Sequence, residues 1–224
     1  MENLGNSLLN SLLYYNGLVI ALFKNPDVSA KSSNLNLQKI LEPNSINSIF
    51  YTDPFLKAGF ISKLIQDSKL EVLYLDLDLL YSGYLASGIL STPENLSLFQ
   101  PTVETLYPIL KEILVKASLS QNIIIIDSLN GLYNILNRKR NIGKTVMSFI
   151  MLLASVAKMT QSYIVIASMV RYKKKEGWIL SPTGKNIIEK SKKIILEYSK
   201  GGIELDIPNN SSKIIISSNL IPLV

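Results

Sequence analysis

Thr52-Asp53-Pro54-Phe55-Leu56-Lys57-Ala58-Gly59 lies between an apolar run and a helical one, where an α/β protein would carry a phosphate-binding loop. Such a loop needs glycine for close backbone approach, lysine for the phosphates and a hydroxyl for magnesium. At G-x-x-x-x-G-K-[ST] spacing those places hold Thr52, Lys57, Ala58 and Gly59, so all four fail. Lys57 would reach a phosphate only after a one-residue slip, and an ordinary strand-to-helix turn is the simpler reading. Gly143-Lys144-Thr145 is a second partial match, but Arg138 stands where its first glycine is needed and no apolar strand precedes it. It reads as the start of a helix. Asp76 and Asp78 follow one apolar run, and Asp127-Ser128 closes another. An aspartate at such a strand end holds magnesium when a phosphate loop lies beside it, and otherwise caps a helix or a turn. The sequence contains no His and no Cys. Imidazole bases, thiol nucleophiles, disulfides and His/Cys metal sites are therefore excluded.

The cations are unevenly spread. The net charge is +6, yet Ser128 to Lys175 holds nine cations and no Asp or Glu, leaving the remainder at −3. The cations are Arg138, Lys139, Arg140, Lys144, Lys158, Arg171, Lys173, Lys174 and Lys175. From Leu70 to Leu110 the sign reverses, with Glu71, Asp76, Asp78, Glu94 and Glu104 and no cation. Tyr172 and Trp178 interleave the second basic cluster with aromatic rings suited to stacking on exposed bases. A solvated, lysine-rich loop balancing an acidic remainder is the alternative reading of the same residues.

These residues need elements to place them. The chain has 224 residues, 47% of them hydrophobic and 18% charged, with a mean hydropathy of +0.24, which suits one folded domain and excludes disorder. Ile123 to Ile126 is a β-branched run without alternation, the habit of a strand buried on both faces of a parallel sheet. Ile46 to Tyr51, Glu71 to Asp76 and Tyr163 to Ala167 read as further strands, with helical patterns at Phe60 to Ile65, Thr102 to Ser118 and Val146 to Lys158. Pro108 is expected to kink the second of these helices. Alternating strands and helices with short links imply right-handed crossovers and a parallel sheet. Runs at 193–198, 203–207 and 213–217, separated by Gly201-Gly202 and Pro208-Asn209-Asn210, predict an antiparallel meander on one edge. The apolar stretch Thr145 to Ala157 is too short to cross a bilayer, and Met1-Glu2-Asn3 opens without the basic stretch of a signal peptide. A soluble, cytoplasmic protein is expected, with no membrane partner.

Taken in order, these motifs resemble the core of the RecA/RadA/KaiC-like ATPases, and most of all an archaeal RadA paralogue with a degenerate Walker A motif. The resemblance covers about 37–207. It rests on Ile123-Ile-Ile-Ile-Asp-Ser128, Arg138 to Arg140, the long helix, Ile164-Val-Ile-Ala-Ser-Met-Val170, the basic loop, Pro182-Thr-Gly184 and the strand Lys193 to Tyr198. It implies a three-layer RecA-like α/β fold with a mostly parallel central sheet flanked by helices and an antiparallel C-terminal β extension. Residues 1–36 would form an N-terminal appendage and 37–224 the core domain. By resemblance Asp127 is the Walker B aspartate, Asp78 stands in the place of the catalytic Glu, and Met169 in that of a phosphate-sensing Gln. The loop Arg171 to Leu180 matches a DNA-contacting loop.

The degenerate nucleotide site would thus be Thr52, Lys57, Asp78 and Asp127, with no catalytic residue, metal or cofactor. DNA, more readily single-stranded, would meet Arg138, Lys139, Arg140, Arg171, Tyr172, Lys173, Lys174, Lys175 and Trp178. A RecA/RadA-like protein or a second copy is the expected protein partner. The expectation is a non-catalytic paralogue in recombination or repair; the alternatives are a scaffold subunit of a RecA-like or KaiC-like assembly that binds no DNA, and an ATPase working with unusual residues.

Overall fold

Among the described residues six parallel strands carry the molecule, lying across the sheet in the order Leu96–Phe99, Glu71–Asp76, Asn122–Asp127, Tyr163–Lys173, Ile46–Tyr51 and Lys192–Ser199. The structure is a computed structural model, and it describes residues 36–136, 141–173, 177–180, 191–199, 202–208 and 214–217. Along the chain a 3₁₀ turn (Leu37–Ile40) leads into β1 (Ile46–Tyr51), α1 (Pro54–Asp67), β2 (Glu71–Asp76), α2 (Leu80–Ala86), β3 (Leu96–Phe99) and α3 (Leu106–Leu119). There follow β4 (Asn122–Asp127), α4 (Leu129–Ile135), α5 (Ile142–Thr160), β5 (Tyr163–Lys173), β6 (Gly177–Leu180), β7 (Lys192–Ser199), β8 (Gly202–Asp206) and β9 (Ile214–Ser217). β7, β8 and β9 form the antiparallel meander, joined to the parallel sheet where β7 pairs with β1.

Strand alternation sorts the core into two layers, since successive side chains leave opposite faces of the sheet. Leu73, Leu75, Ile124, Ile126, Ile164 and Ile166 face α3, α4 and α5, which bury Leu110, Ile113, Leu132, Ile150 and Leu153 against them. Val72, Tyr74, Ile123, Ile125, Val165 and Ile194 face the other way, onto Phe60, Ile61, Leu64 and Ile65 of α1 and the 3₁₀ turn. Ile123 to Ile126 are at most 1% exposed, as the run without alternation predicts.

Three local expectations change. The helix at Thr102 to Ser118 begins only at Leu106, so Pro108 falls in its first turn. First-turn N–H groups have no intrahelical partner, so proline is tolerated there without a kink. The apolar stretch at 145–157 is part of a 19-residue helix, α5, which is by length and composition long enough to cross a membrane. One face of α5 is nonetheless committed to the sheet through Val146, Phe149, Ile150, Leu153 and Ala157. Finally, β5 does not end at Ala167. It continues through Arg171, Tyr172 and Lys173 and pairs antiparallel with β6, so the stretch expected as a loop from Arg171 is a β-hairpin. Lysine and arginine at strand period hide that extension in the sequence.

Candidate functional site

Ligands of parallel α/β sheets bind beyond the carboxyl ends of the strands. At that edge Asp76 on β2 and Asp127 on β4 are direct register partners, and Tyr51 on β1 stands beyond the intervening β5, where it pairs with Met169. A cleft of about 380 Å³ opens there, lined by Tyr51, Pro54, Lys57, Asp78, Ser128 and Met169 among others. That volume lies at the small end of ordinary ligand clefts.

Lys57 is the unusual member. It sits one turn into α1, on the face turned to the sheet, and is only 1% exposed. Its ammonium donates to Asp127 Oδ1 at 2.6 Å and to Asp78 Oδ2 at 3.4 Å, and lies 5.0 Å from the centre of the Tyr51 ring. The Tyr74 phenol donates to the other Asp127 oxygen, Oδ2. Burial works most strongly against the lysine charge, but Asp127, Tyr51 and Asp78 together outweigh it and hold the Lys57 ammonium above the ordinary lysine range. The same burial pushes the Asp127 carboxyl up, opposed by Lys57 and by the hydrogen bonds from Lys57 and Tyr74. Burial likewise pushes the Tyr51 phenol up to about 12, with the Lys57 charge pulling the other way.

The turn before α1 is closed in the same self-sufficient way. Asp53 caps the helix, accepting from the Phe55 backbone N–H at 2.7 Å. Pro54, next in line, has no N–H to offer. The Tyr198 hydroxyl on β7 donates to Asp53 Oδ2 at 2.7 Å, so a carboxylate bound from within occupies the start of the helix. Thr52 is exposed on this turn. Beside Asp127, the Asp76 carboxylate accepts from the Ser82 N–H at the start of α2, while its Oδ1 has no hydrogen-bond partner among the described residues. Gly131 on α4 permits the close approach of the β2–α2 turn, since a Cβ there would meet Asp78 Oδ1 and Leu77 Cβ at 2.7 Å. Asn130 accepts from the Met169 N–H at 3.2 Å and ties α4 to β5.

The fold family implied by the sequence holds a nucleotide and magnesium at such an edge. The residues here do not fit that pair. Lys57 and both Asp127 oxygens are already engaged with each other or with Tyr74, and the start of α1 carries a carboxylate. Among the described residues no three carboxylates converge as a metal site.

The sequence-derived candidates therefore divide. Lys57 and Asp127 come together as a buried pair, Asp78 reaches Lys57 from the exposed β2–α2 turn, and Thr52 stays on the surface. Arg171, Tyr172, Lys173 and Trp178 lie on the β5–β6 hairpin, where Tyr172 pairs with Trp178 and Arg171 with Ile179. Arg138, Lys139, Arg140, Lys174, Lys175, Pro182 to Gly184 and the appendage up to residue 35 lie outside the described residues. Tyr51, Asp53, Tyr74, Asn130 and Tyr198 are site residues that no sequence motif marks. Tyr74 had a signal: a phenol inside a strand buried on both faces must find a hydrogen-bond partner.

No protein-family profile matches the chain, and no curated protein matches it in sequence. Among solved structures it is similar to one described as the crystal structure of the RadB recombinase, with a TM-score of 0.55 and 12% identity. The match covers 80% of this chain and 90% of that one. The likeness is one of architecture, and with the strand order above it shows that this chain has the RecA-like α/β fold.

Proposed function

We propose that this protein is a RecA-like paralogue acting in DNA recombination or repair, binding DNA or a RecA-like partner through its basic segment and not hydrolysing ATP. The observation that carries the reading is where the acid-free stretch goes: β5 leads directly from the cleft edge into the hairpin that bears Arg171, Lys173 and Trp178. Cations at a strand end can contact phosphates, and aromatic residues at paired positions suit stacking on bases. The Lys57–Asp127 pair and the Asp53 cap support the absence of hydrolysis, because the lysine and the carboxylate that would serve phosphate and metal are spent on each other.

The test is a titration with single- and double-stranded oligonucleotides over a range of salt. Five or six phosphate contacts give a log–log salt slope of about −4 to −5. Replacing Arg171, Lys173, Lys174 and Lys175 with Ala should lower affinity for all sequences and flatten that slope by about 0.7–0.9 per lost contact. Unchanged affinity in this variant would remove DNA from the reading. The second reading, a scaffold subunit, is favoured by the outer face of α5, where Met151, Leu152 and Met159 are exposed. Light scattering of the purified chain with a RecA-like partner tests it.

A further inference from the structure

We propose that Lys57 is a resident cation, doing by covalent attachment what a diffusible metal or nucleotide complex would otherwise do for the acidic strand ends. The inference deepens, and rests on, the reading of the chain as non-hydrolysing. Asp76 and Asp127 are neighbours across β2 and β4, both fully buried, and Asp78, exposed on the following turn, reaches the same lysine as Asp127. Carboxylates buried side by side as Asp76 and Asp127 are must either take up a proton or be met by a positive charge. The only cation in hydrogen-bond contact with Asp127 or Asp78 among the described residues is the Lys57 ammonium. It is sealed from solvent, and its contacts run to two of the carboxylates at once, as those of a bound metal ion would.

The sealing has a consequence for the whole edge. A diffusible cation is present or absent according to its concentration, so a site that needs one has at least two states. A lysine held by its own backbone is always present. The β2–α2 turn, the start of α4 and the end of β4 are then fixed in one arrangement: Leu77 N–H donates to the Asp127 carbonyl at 2.6 Å, and Ser128 caps α4. Partner or DNA binding at this edge should therefore be insensitive to magnesium and to nucleotide.

Thermal melting of the full chain decides the matter. Wild-type protein should melt at the same temperature in EDTA, in magnesium or manganese, and with ATP or ADP added. Lys57→Met leaves the carboxylates without a cation, and its Tm should fall by about 6–20 °C. Millimolar manganese or calcium should return part of that loss, and EDTA should abolish the return. The double variant Lys57→Met/Asp127→Asn removes the stranded charge, so it should melt well above the single variant and ignore the metals. It also serves if Lys57→Met alone does not fold. Three results would each overturn the inference: wild-type melting raised by metal or nucleotide, a folded Lys57→Met that ignores divalent ions, or a double variant no better than the single one. ATP turnover by the wild-type chain with all melting results as expected would overturn the non-hydrolysing reading instead.

Discussion

The two faces of the central sheet are built from different materials. Against α3 and α5 the sheet presents Leu73, Leu75, Ile124, Ile126, Ile164 and Ile166, a layer of hydrocarbon meeting hydrocarbon. Against α1 it presents Ile and Val toward one end of the strands, but Tyr74, Asp76 and Asp127 toward the other, with Lys57 inserted among them. A hydrocarbon layer tolerates volume-conserving exchange, because dispersion and burial are non-directional. A buried polar cluster tolerates little, because each member leaves another unpaired when it is lost. The first face supplies stability and the second fixes one arrangement of the ligand edge.

The largest break in this comparison should come from Asp127→Ala, which strands the Lys57 ammonium and the Tyr74 phenol in the interior. A cost of about 3–5 kcal/mol is expected from urea unfolding. Leu153→Ala, on the opposite face and fully buried, should cost about 2–5 kcal/mol through its cavity, with no change in the pH dependence of unfolding.

Alkaline pH should act on the α1 face first. Burial pushes the Tyr51 and Tyr81 phenols up to about 12, against 10.0 for a free tyrosine. The folded chain keeps protons there that the unfolded chain releases near pH 10. Their contribution is whole below pH 10 and is lost as the pH rises toward 12. Phenolate absorbance at 295 nm should show these two titrating late, and stability should fall across the same window. Tyr198→Phe should be the mildest change. It removes one exposed hydrogen bond to the Asp53 cap, so about 1 kcal/mol or less is expected in a melting experiment.

The parallel sheet was legible from residue types alone because Ile123 to Ile126 and Ile164 to Ile166 admit no reading but strands buried on both faces. The C-terminal meander was legible from its glycine and proline punctuation. Asp127 could be placed at a strand end for the same reason. Lys57 could not be read as buried: nothing near it in sequence marks it as other than a helix surface residue, and its partner is 70 residues away. The hairpin was hidden because Arg171 and Lys173 interrupt the apolar signature of β5 while its hydrogen-bond ladder continues. β3 and α2, of four and seven residues, were too short for periodicity to declare them.

The Lys57–Asp127 pair also acts as a mutational lock. A native domain holds only about 5–15 kcal/mol of stability, so a chain that lost either partner alone would give up a large share of it. Any change that opens this edge to solvent must therefore alter both residues together, with Asp53 and Pro54 still closing the start of α1. Single substitutions at the pair lead to poorly folded chains, and the present arrangement is held by the instability of its neighbours in sequence space.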